Sequence, residues 1–329
     1  MQPSPLLHED TLTFLRSRKN LLAYSGGGDS TALFFLLQHA NIPFDIALVN
    51  YKTRAQSDEE ETYAKILAQR YAKKYFIFTC QLSSSNFEHR ARQQRYHFFE
   101  TLVERYGYET LLSAHHLGDR LEWFLMQLTK GAGLVEMLGM QEMEQRERYT
   151  LVRPLLHLSK ESLVSFLKDE KACYFNDESN ENTLFLRNRF RHDFSTPLLK
   201  DYASGIAKSF SFLEEDVKRL LPSRGKWIQE LCIAPREEDD LRNIRHIDKA
   251  LKTLGKLLSE KEREEIIRSK DCVIAGKIAV VFDATSIWVA PFLQASMPKS
   301  FKETCRKERI PAKIRPYLFT CDLNPALLR

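Results

Sequence analysis

Six consecutive residues, Ser25-Gly26-Gly27-Gly28-Asp29-Ser30, have the composition to hold an oxyanion. They follow the apolar run Leu21-Leu22-Ala23-Tyr24 and precede Thr31-Ala32-Leu33-Phe34-Phe35-Leu36-Leu37, which predicts a glycine-rich loop between a buried strand and a buried helix. Three glycines let the backbone turn sharply and aim several N–H groups into one concavity, and the helix adds its positive N-terminal end. The natural occupant is a nucleotide phosphate, with Ser25 and Ser30 as donors and Asp29 orienting Mg²⁺ or its water shell. The loop lacks the Gly-Lys-Ser/Thr ending of a Walker A motif. A flexible Gly/Ser connector is the alternative, and the large apolar residues on both sides argue against it.

A second stretch runs from Ser113-Ala114-His115-His116 through Asp119 and Glu122 to Lys130-Gly131-Ala132-Gly133-Leu134. Asp119 and Glu122 stand three residues apart at a predicted helix start, which puts both carboxylates on one face. Such a pair binds a metal, binds an ammonium group or accepts a proton; the bland reading is an N-cap with a solvated first-turn acid. The histidines are equally open, because a histidine at a strand end is often just hydrogen-bonded to backbone. Arg90, Arg92 and Arg95 fall along one side of a predicted helix, and Arg187, Asn188, Arg189, Arg191 and His192 form a dense positive segment. Both clusters suit phosphate or carboxylate contacts, or helix surfaces paired with acids elsewhere.

The elements that must position these residues alternate. Candidate strands at 20–24, 46–50, 75–79 and 110–114 are separated by amphipathic stretches, the pattern of a parallel α/β sheet. In such a sheet ligands bind beyond the carboxyl ends of the strands, so the loops after Tyr24, Asn50 and Ala114 should supply the site. The acidic run Asp58-Glu59-Glu60-Glu61 reads as a solvated helix start. Beyond about residue 200 the pattern loses its strands, and 203–221, 241–258 and 260–268 read as helices. A β-hairpin is expected from Lys277–Phe282 and Ser286–Ala290. The expected domains are therefore 1–200, catalytic; 201–270, helical; and 271–329, a hairpin with a short basic C-terminal module.

A chain of 329 residues, 43% apolar and 28% charged, is a soluble multidomain protein by composition. It shows no bilayer-length apolar stretch and no signal-peptide pattern at Met1-Gln2-Pro3-Ser4-Pro5, so a cytoplasmic location without a membrane partner is expected. Six cysteines without a Cys-x-x-Cys pair offer no zinc-ribbon or iron–sulfur ligand set. Residues 299–329 hold eight Lys/Arg, including Lys313 and Arg315, against three acids, a basic surface that suits a polyanion.

The loop resembles the PP-loop, Ser-Gly-Gly-x-Asp-Ser, of enzymes that split ATP into AMP and pyrophosphate. The whole set of motifs resembles the tRNA(Ile)-lysidine synthetase family. That family carries Ala-His-His-x-x-Asp-x-x-Glu with a following Gly-x-Gly-Leu, matched at 114–122 and 131–134. Arg92-Gln93-Gln94-Arg95-Tyr96, Arg153-Pro154-Leu155-Leu156, Asp177-Glu178-Ser179-Asn180 and Arg187-Asn188-Arg189-Phe190-Arg191-His192 match further motifs in the family's order, with Phe175 where a tryptophan is usual. Phe301 to Leu318 is similar, in shortened form, to the family's tRNA-contacting C-terminal module. Two departures stand out. Asn50-Tyr51-Lys52-Thr53-Arg54 replaces a His-Gly-Leu-Arg-like sequence, and Gly118 replaces the usual Asp or Asn before Asp119, a change expected to be tolerated.

The resemblance implies an adenine-nucleotide α-hydrolase-like fold and a two-step reaction. The C2 oxygen of the wobble cytidine in a CAU anticodon attacks the α-phosphate of ATP, and the amine of free lysine then displaces AMP. The lysidine so formed pairs with adenine, shifting codon specificity from AUG to AUA. It further implies ATP on Ser25 to Ser30 and His115, Mg²⁺ near Asp29, and catalysis by Asp29, Asp119 and Glu122. Lysine and tRNA fall to Arg92, Arg95, Tyr96, Arg187, Asn188, Arg189, Arg191, His192, Lys313 and Arg315. The rivals are a PP-loop tRNA thiolase, which delivers sulfur, and a non-catalytic tRNA- or nucleotide-binding protein.

Overall fold

The computed structural model describes residues 6–52, 56–80, 87–175, 186–220 and 225–328. The chain divides into two compact units, residues 1–214 and 215–329.

The first unit opens with α1 (Glu9–Arg16), β1 (Asn20–Ala23), α2 (Gly28–His39), β2 (Phe44–Asn50), α3 (Gln56–Arg70) and β3 (Tyr75–Thr79). It continues through α4 (Phe87–Tyr106), β4 (Thr110–Leu112), α5 (Leu117–Leu128), α6 (Leu134–Leu138), β5 (Met143–Gln145), β6 (Thr150–Val152) and α7 (Lys160–Asp169). After α8 (Leu186–Phe190) and a π-helical turn (Arg191–Ser195) comes α9 (Thr196–Leu220), inside which the unit boundary falls.

The strands lie in the order β3-β2-β1-β4-β6-β5, parallel except for β5. Their side chains alternate between two layers, as the two-residue strand period requires. Leu22, Ile46, Leu112 and Val152 bury against one set of helices, to which α2 gives Leu33, Phe34, Leu36 and Leu37 and α7 gives Leu163 and Leu167. Leu21, Ala47, Leu111 and Leu151 face the opposite layer, with Phe99, Leu102 and Val103 of α4. Because β1 lies between β2 and β4, the chain leaves their carboxyl ends in opposite directions, which opens a crevice between the loops after β1 and β4.

Residues 6–8 are fastened to this unit by a polar clasp. His8 Nδ1 meets Glu142 Oε2 at 3.0 Å, and His157 Nε2 meets the Leu6 carbonyl at 3.0 Å. These residues offer three potential metal ligands, but the two imidazoles stack 3.7 Å apart at 14°. Lone pairs lying in nearly parallel ring planes do not converge on one ion, so the cluster is a hydrogen-bonded tie.

The second unit holds β7 (Lys226–Ile228), β8 (Leu231–Pro235), α10 (Asp240–Thr253), α11 (Glu260–Ser269), β9 (Asp271–Ile274), β10 (Ile278–Phe282), β11 (Ser286–Pro291), α12 (Lys299–Lys307) and α13 (Arg315–Thr320). Its antiparallel sheet, β7-β8-β11-β10-β9, is covered on both faces. Ile244, Ile247, Leu251 and Ile266 of α10 and α11 pack on Val280, Ile287 and Val289. Cys305, Ile314, Tyr317 and Leu318 of the basic segment pack on Val281, Trp288 and Ala290.

The helices expected near 241–258 and 260–268 and the hairpin form, but the domain boundary expected at 270 does not separate two bodies. β8 pairs with β11 across a long sequence gap, so 226–235 and 271–291 share one sheet. Two strands this short, joined by a two-residue turn, present too few residues for an alternating pattern. The basic segment is a pair of docked helices. Among the described residues no helix is long and apolar enough to cross a membrane.

Candidate active site

The glycine loop sits at the mouth of the crevice. Gly26 has φ +81°, and a Cβ there would come within 3.0 Å of the Glu60 side chain, so only glycine lets the loop lie this close to α3. The loop is braced from inside and out. Ser25 and Ser30 hydroxyls face each other at 3.1 Å, Ser30 Oγ also donates to the Gly27 carbonyl at 3.0 Å, and the Phe175 N–H donates to the Gly26 carbonyl at 3.0 Å. Gly27 is the N-cap of α2, so the first N–H groups of that helix open toward the crevice.

Across the crevice α5 begins with a capping box. His116 Nδ1 accepts from the Gly118 N–H at 3.0 Å, and Asp119 Oδ2 accepts from the His116 N–H at 3.0 Å. This explains Gly118: a Cβ there would lie 2.6 Å from His116 Cε1. His116 Nε2 stands 3.8 Å from Asp29 Oδ2 and thus relates the two loops.

Asp119 and Glu122 share one face of α5, and both are buried. They are not solvated first-turn acids, for two arginines close over them. Arg187 donates to Asp119 Oδ1 at 2.6 Å and Glu122 Oε2 at 2.9 Å, and Arg191 donates to Glu122 Oε1 at 2.6 Å. Their side chains keep 45% and 31% exposure, so they reach the buried carboxylates from the rim.

The electrostatics follow from this packing. Burial alone would raise the Asp119 pKa, but His116, His115, Arg187 and the His116 N–H together hold it well below the ordinary carboxylate value. Burial pushes His115 down from 6.5 to about 4, with Arg153, Arg187 and Arg95 adding to the fall and Asp119 opposing it. His115 is therefore neutral at pH 7, and its Nδ1 meets the Ser113 hydroxyl.

Ser25 to Ser30, His115, Asp119, Glu122, Arg187 and Arg191 thus gather at the ends of β1 and β4. Arg95 on α4 is near enough to act on His115. Other candidates lie elsewhere. Arg92 is exposed, its guanidinium 4.9 Å from the centre of the Tyr96 ring. Arg189 and His192 are exposed, His192 pairing with Asp193 at 2.8 Å, and Asn188 is half-buried on the same turn. In the second unit Lys313 pairs with Asp271 at 2.7 Å, and Arg315 Nε donates to the Ile310 carbonyl at 2.9 Å. The Asp177 to Asn180 motif lies outside the described residues. Asn50, which opens the segment that departs from the family's pattern, is a structural pin, its amide donating to Asp58 Oδ1 at 2.9 Å and Glu61 Oε2 at 2.8 Å.

One residue near the loop escaped the sequence reading. Lys160, first in α7 behind the N-cap Ser159, pairs with Asp29 at 2.5 Å. Nothing in Leu158-Ser159-Lys160-Glu161 separates it from an ordinary exposed lysine after a cap.

Residues 6–198 match the family described as the PP-loop domain. A tRNA(Ile)-lysidine synthase of Wolinella succinogenes is 48% identical over 316 residues, covering 95% of this chain and 96% of that protein. Those of Campylobacter jejuni (46% identical; 97% and 98% covered) and Helicobacter pylori (44%; 93% and 90%) are also similar over nearly their whole length. The chain belongs to the tRNA(Ile)-lysidine synthase family. A solved U34-tRNA thiolase from Methanococcus maripaludis, 16% identical at a TM-score of 0.52 over 67% of this chain and 78% of its own, shares the fold. The lysidine synthase family thus supplies the context in which the loop and the carboxylate–arginine cluster sit.

Proposed function

We propose that this chain ligates free lysine to C2 of the wobble cytidine of an isoleucine tRNA bearing CAU, consuming ATP through an adenylated tRNA. One observation carries the reading within the family. A phosphate-binding loop and a buried anionic pair face the same crevice, so one bound base can meet both ATP and an ammonium donor.

In the first step the cytidine C2 oxygen attacks the α-phosphate, and the bond to the β-phosphate breaks. The loop N–H groups and the start of α2 take up the charge left on pyrophosphate. Asp29, one carboxylate beside the triphosphate site, fits the way Mg²⁺ binds through a single carboxylate and substrate phosphates. When bound, Mg²⁺ would neutralise charge on those phosphates.

In the second step the lysine amine attacks C2 and expels AMP. An ammonium of pKa about 10.4 must be held and stripped of a proton first. Asp119, kept anionic, and Glu122 supply the counter-charge once Arg187 and Arg191 yield a donor position. The target base has to leave its stack, which an anticodon loop allows at low cost.

The test is incubation with ATP, Mg²⁺, labelled lysine and the isoleucine tRNA, with methionine tRNA of the same anticodon as control. Label should enter only the isoleucine tRNA, with AMP and pyrophosphate released. Pyrophosphate without label would point to another base-adenylating reaction such as thiolation, and neither signal to a binding protein.

A further inference from the structure

The glycine loop carries no cation of its own, although the triphosphate it would hold bears up to four negative charges. A cation arrives from elsewhere in the fold. Ser159 caps α7, its hydroxyl accepting the Ser162 N–H at 3.2 Å, and this cap fixes the backbone from which Lys160 departs. Leu163 and Leu167 bury α7 in the layer that also holds α2, and Leu167 Cδ1 lies 3.7 Å from where a Cβ on Gly28 would be. The placement of Lys160 is therefore set by the same packing that sets the loop. Its Nζ stands 2.5 Å from Asp29 Oδ1, while His116 faces the other oxygen, Oδ2. The Lys160 side chain is 47% exposed, so the ammonium can leave the carboxylate without unpacking a core.

We propose that Lys160 is the phosphate-contacting cation of this site and binds the pyrophosphate end of ATP. In the free protein the ammonium is parked on Asp29. When the triphosphate enters the loop, Nζ moves to its β- and γ-oxygens and frees the Asp29 carboxylate, which would then be available to hold Mg²⁺. During adenylation the cytidine oxygen bonds to the α-phosphorus, the bond from that phosphorus to the bridging oxygen breaks, and pyrophosphate departs with the electron pair. Lys160 stays protonated and donates hydrogen bonds to the leaving group throughout. The role is that of a Walker lysine, delivered from a separate helix instead of from the loop. It rests on the reading of the loop as an ATP site.

The test uses the full chain with Lys160→Met and Lys160→Arg. Binding of α,β-methylene-ATP and of AMP is measured with and without Mg²⁺, alongside tRNA-dependent pyrophosphate release. Lys160→Met should weaken the triphosphate analogue at least about tenfold, the usual consequence of removing a charged hydrogen bond. It should leave AMP binding unchanged and lower the rate of pyrophosphate release, and Lys160→Arg should restore most of both. The analogue should also bind more weakly to Asp29→Asn carrying Lys160→Met than to Asp29→Asn alone. Loss only in the presence of Asp29 would mean that Lys160 merely neutralises that carboxylate, and equal loss of AMP and analogue would mean a structural role; either overturns the proposal. If the unmodified chain does not bind the analogue at all, the ATP reading of the loop fails and the proposal with it.

Discussion

Arg191 grips the buried carboxylate of Glu122 through two nitrogens, Nε to Oε1 at 2.6 Å and Nη2 to Oε2 at 3.2 Å. Arg187 reaches the same carboxylate and also Asp119, so two anions and two cations form a closed, balanced cluster. In the proposed reaction a lysine ammonium takes over part of this arrangement.

Removing one anion should therefore disturb the lysine step and spare the first. Glu122→Gln and Asp119→Asn are each expected to raise the KM for lysine at least about tenfold, since a charged hydrogen bond is lost. Pyrophosphate release with tRNA and ATP should persist. Separate assays of label incorporation and pyrophosphate check this, and loss of both signals together would contradict the division of labour.

Asp29→Ala should have the opposite signature. Pyrophosphate release should disappear while tRNA affinity stays within about twofold, because Asp29 pairs with Lys160 beside the phosphate loop. Filter binding beside a pyrophosphate assay decides it, and normal release would sink the loop assignment.

His115 makes stability depend on pH in a defined window. Its folded value of about 4 lies below the ordinary 6.5, so between these values the unfolded chain binds a proton that the folded chain refuses. Stability should fall as pH drops from about 6.5 to about 4, by an amount on the order of 2 to 3 kcal/mol if burial is complete. His157, also pushed down by burial, acts in the same direction. Thermal melts from pH 7 to 4 should show this slope, and His115→Gln should flatten it.

Gly118→Ala puts a methyl where the His116 ring now lies. The imidazole should swing off the Gly118 N–H, costing about 1 kcal/mol as a lost helix cap. A lowered melting temperature would register the change, and an unchanged melt would show that the ring has room to spare.

The basic segment calls for charge substitution instead of truncation. Cys305, Ile310, Ile314, Tyr317 and Leu318 are buried in the second unit, so deleting the segment would strip a core. Changing exposed Lys299, Arg306 and Lys307 to Gln should weaken tRNA binding and reduce its salt slope by up to about three. An unaltered slope would remove α12 from the RNA contact surface.

What was legible in the sequence was local. The loop after Leu21-Leu22-Ala23-Tyr24 and the Asp119/Glu122 pair could be placed because continuous apolar runs mark buried parallel strands, and the parallel order puts their ends together. What was not legible depended on distant partners. Leu231 to Pro235 becomes a strand by pairing with Ser286 to Val289, and Lys160 becomes part of the site because α7 packs beside α2. The arginine clamp was half visible: the positive segment was evident, but its partners lie some 65 positions earlier in the chain.

Asp119 caps the start of α5 with one carboxylate oxygen and pairs with Arg187 through the other. A substitution that blunts an inhibitor aimed at this carboxylate would also fray the start of α5 and leave Arg187 short of an anion. Resistance through this position would therefore carry a built-in fitness cost, which makes it a sound anchor for inhibitor chemistry.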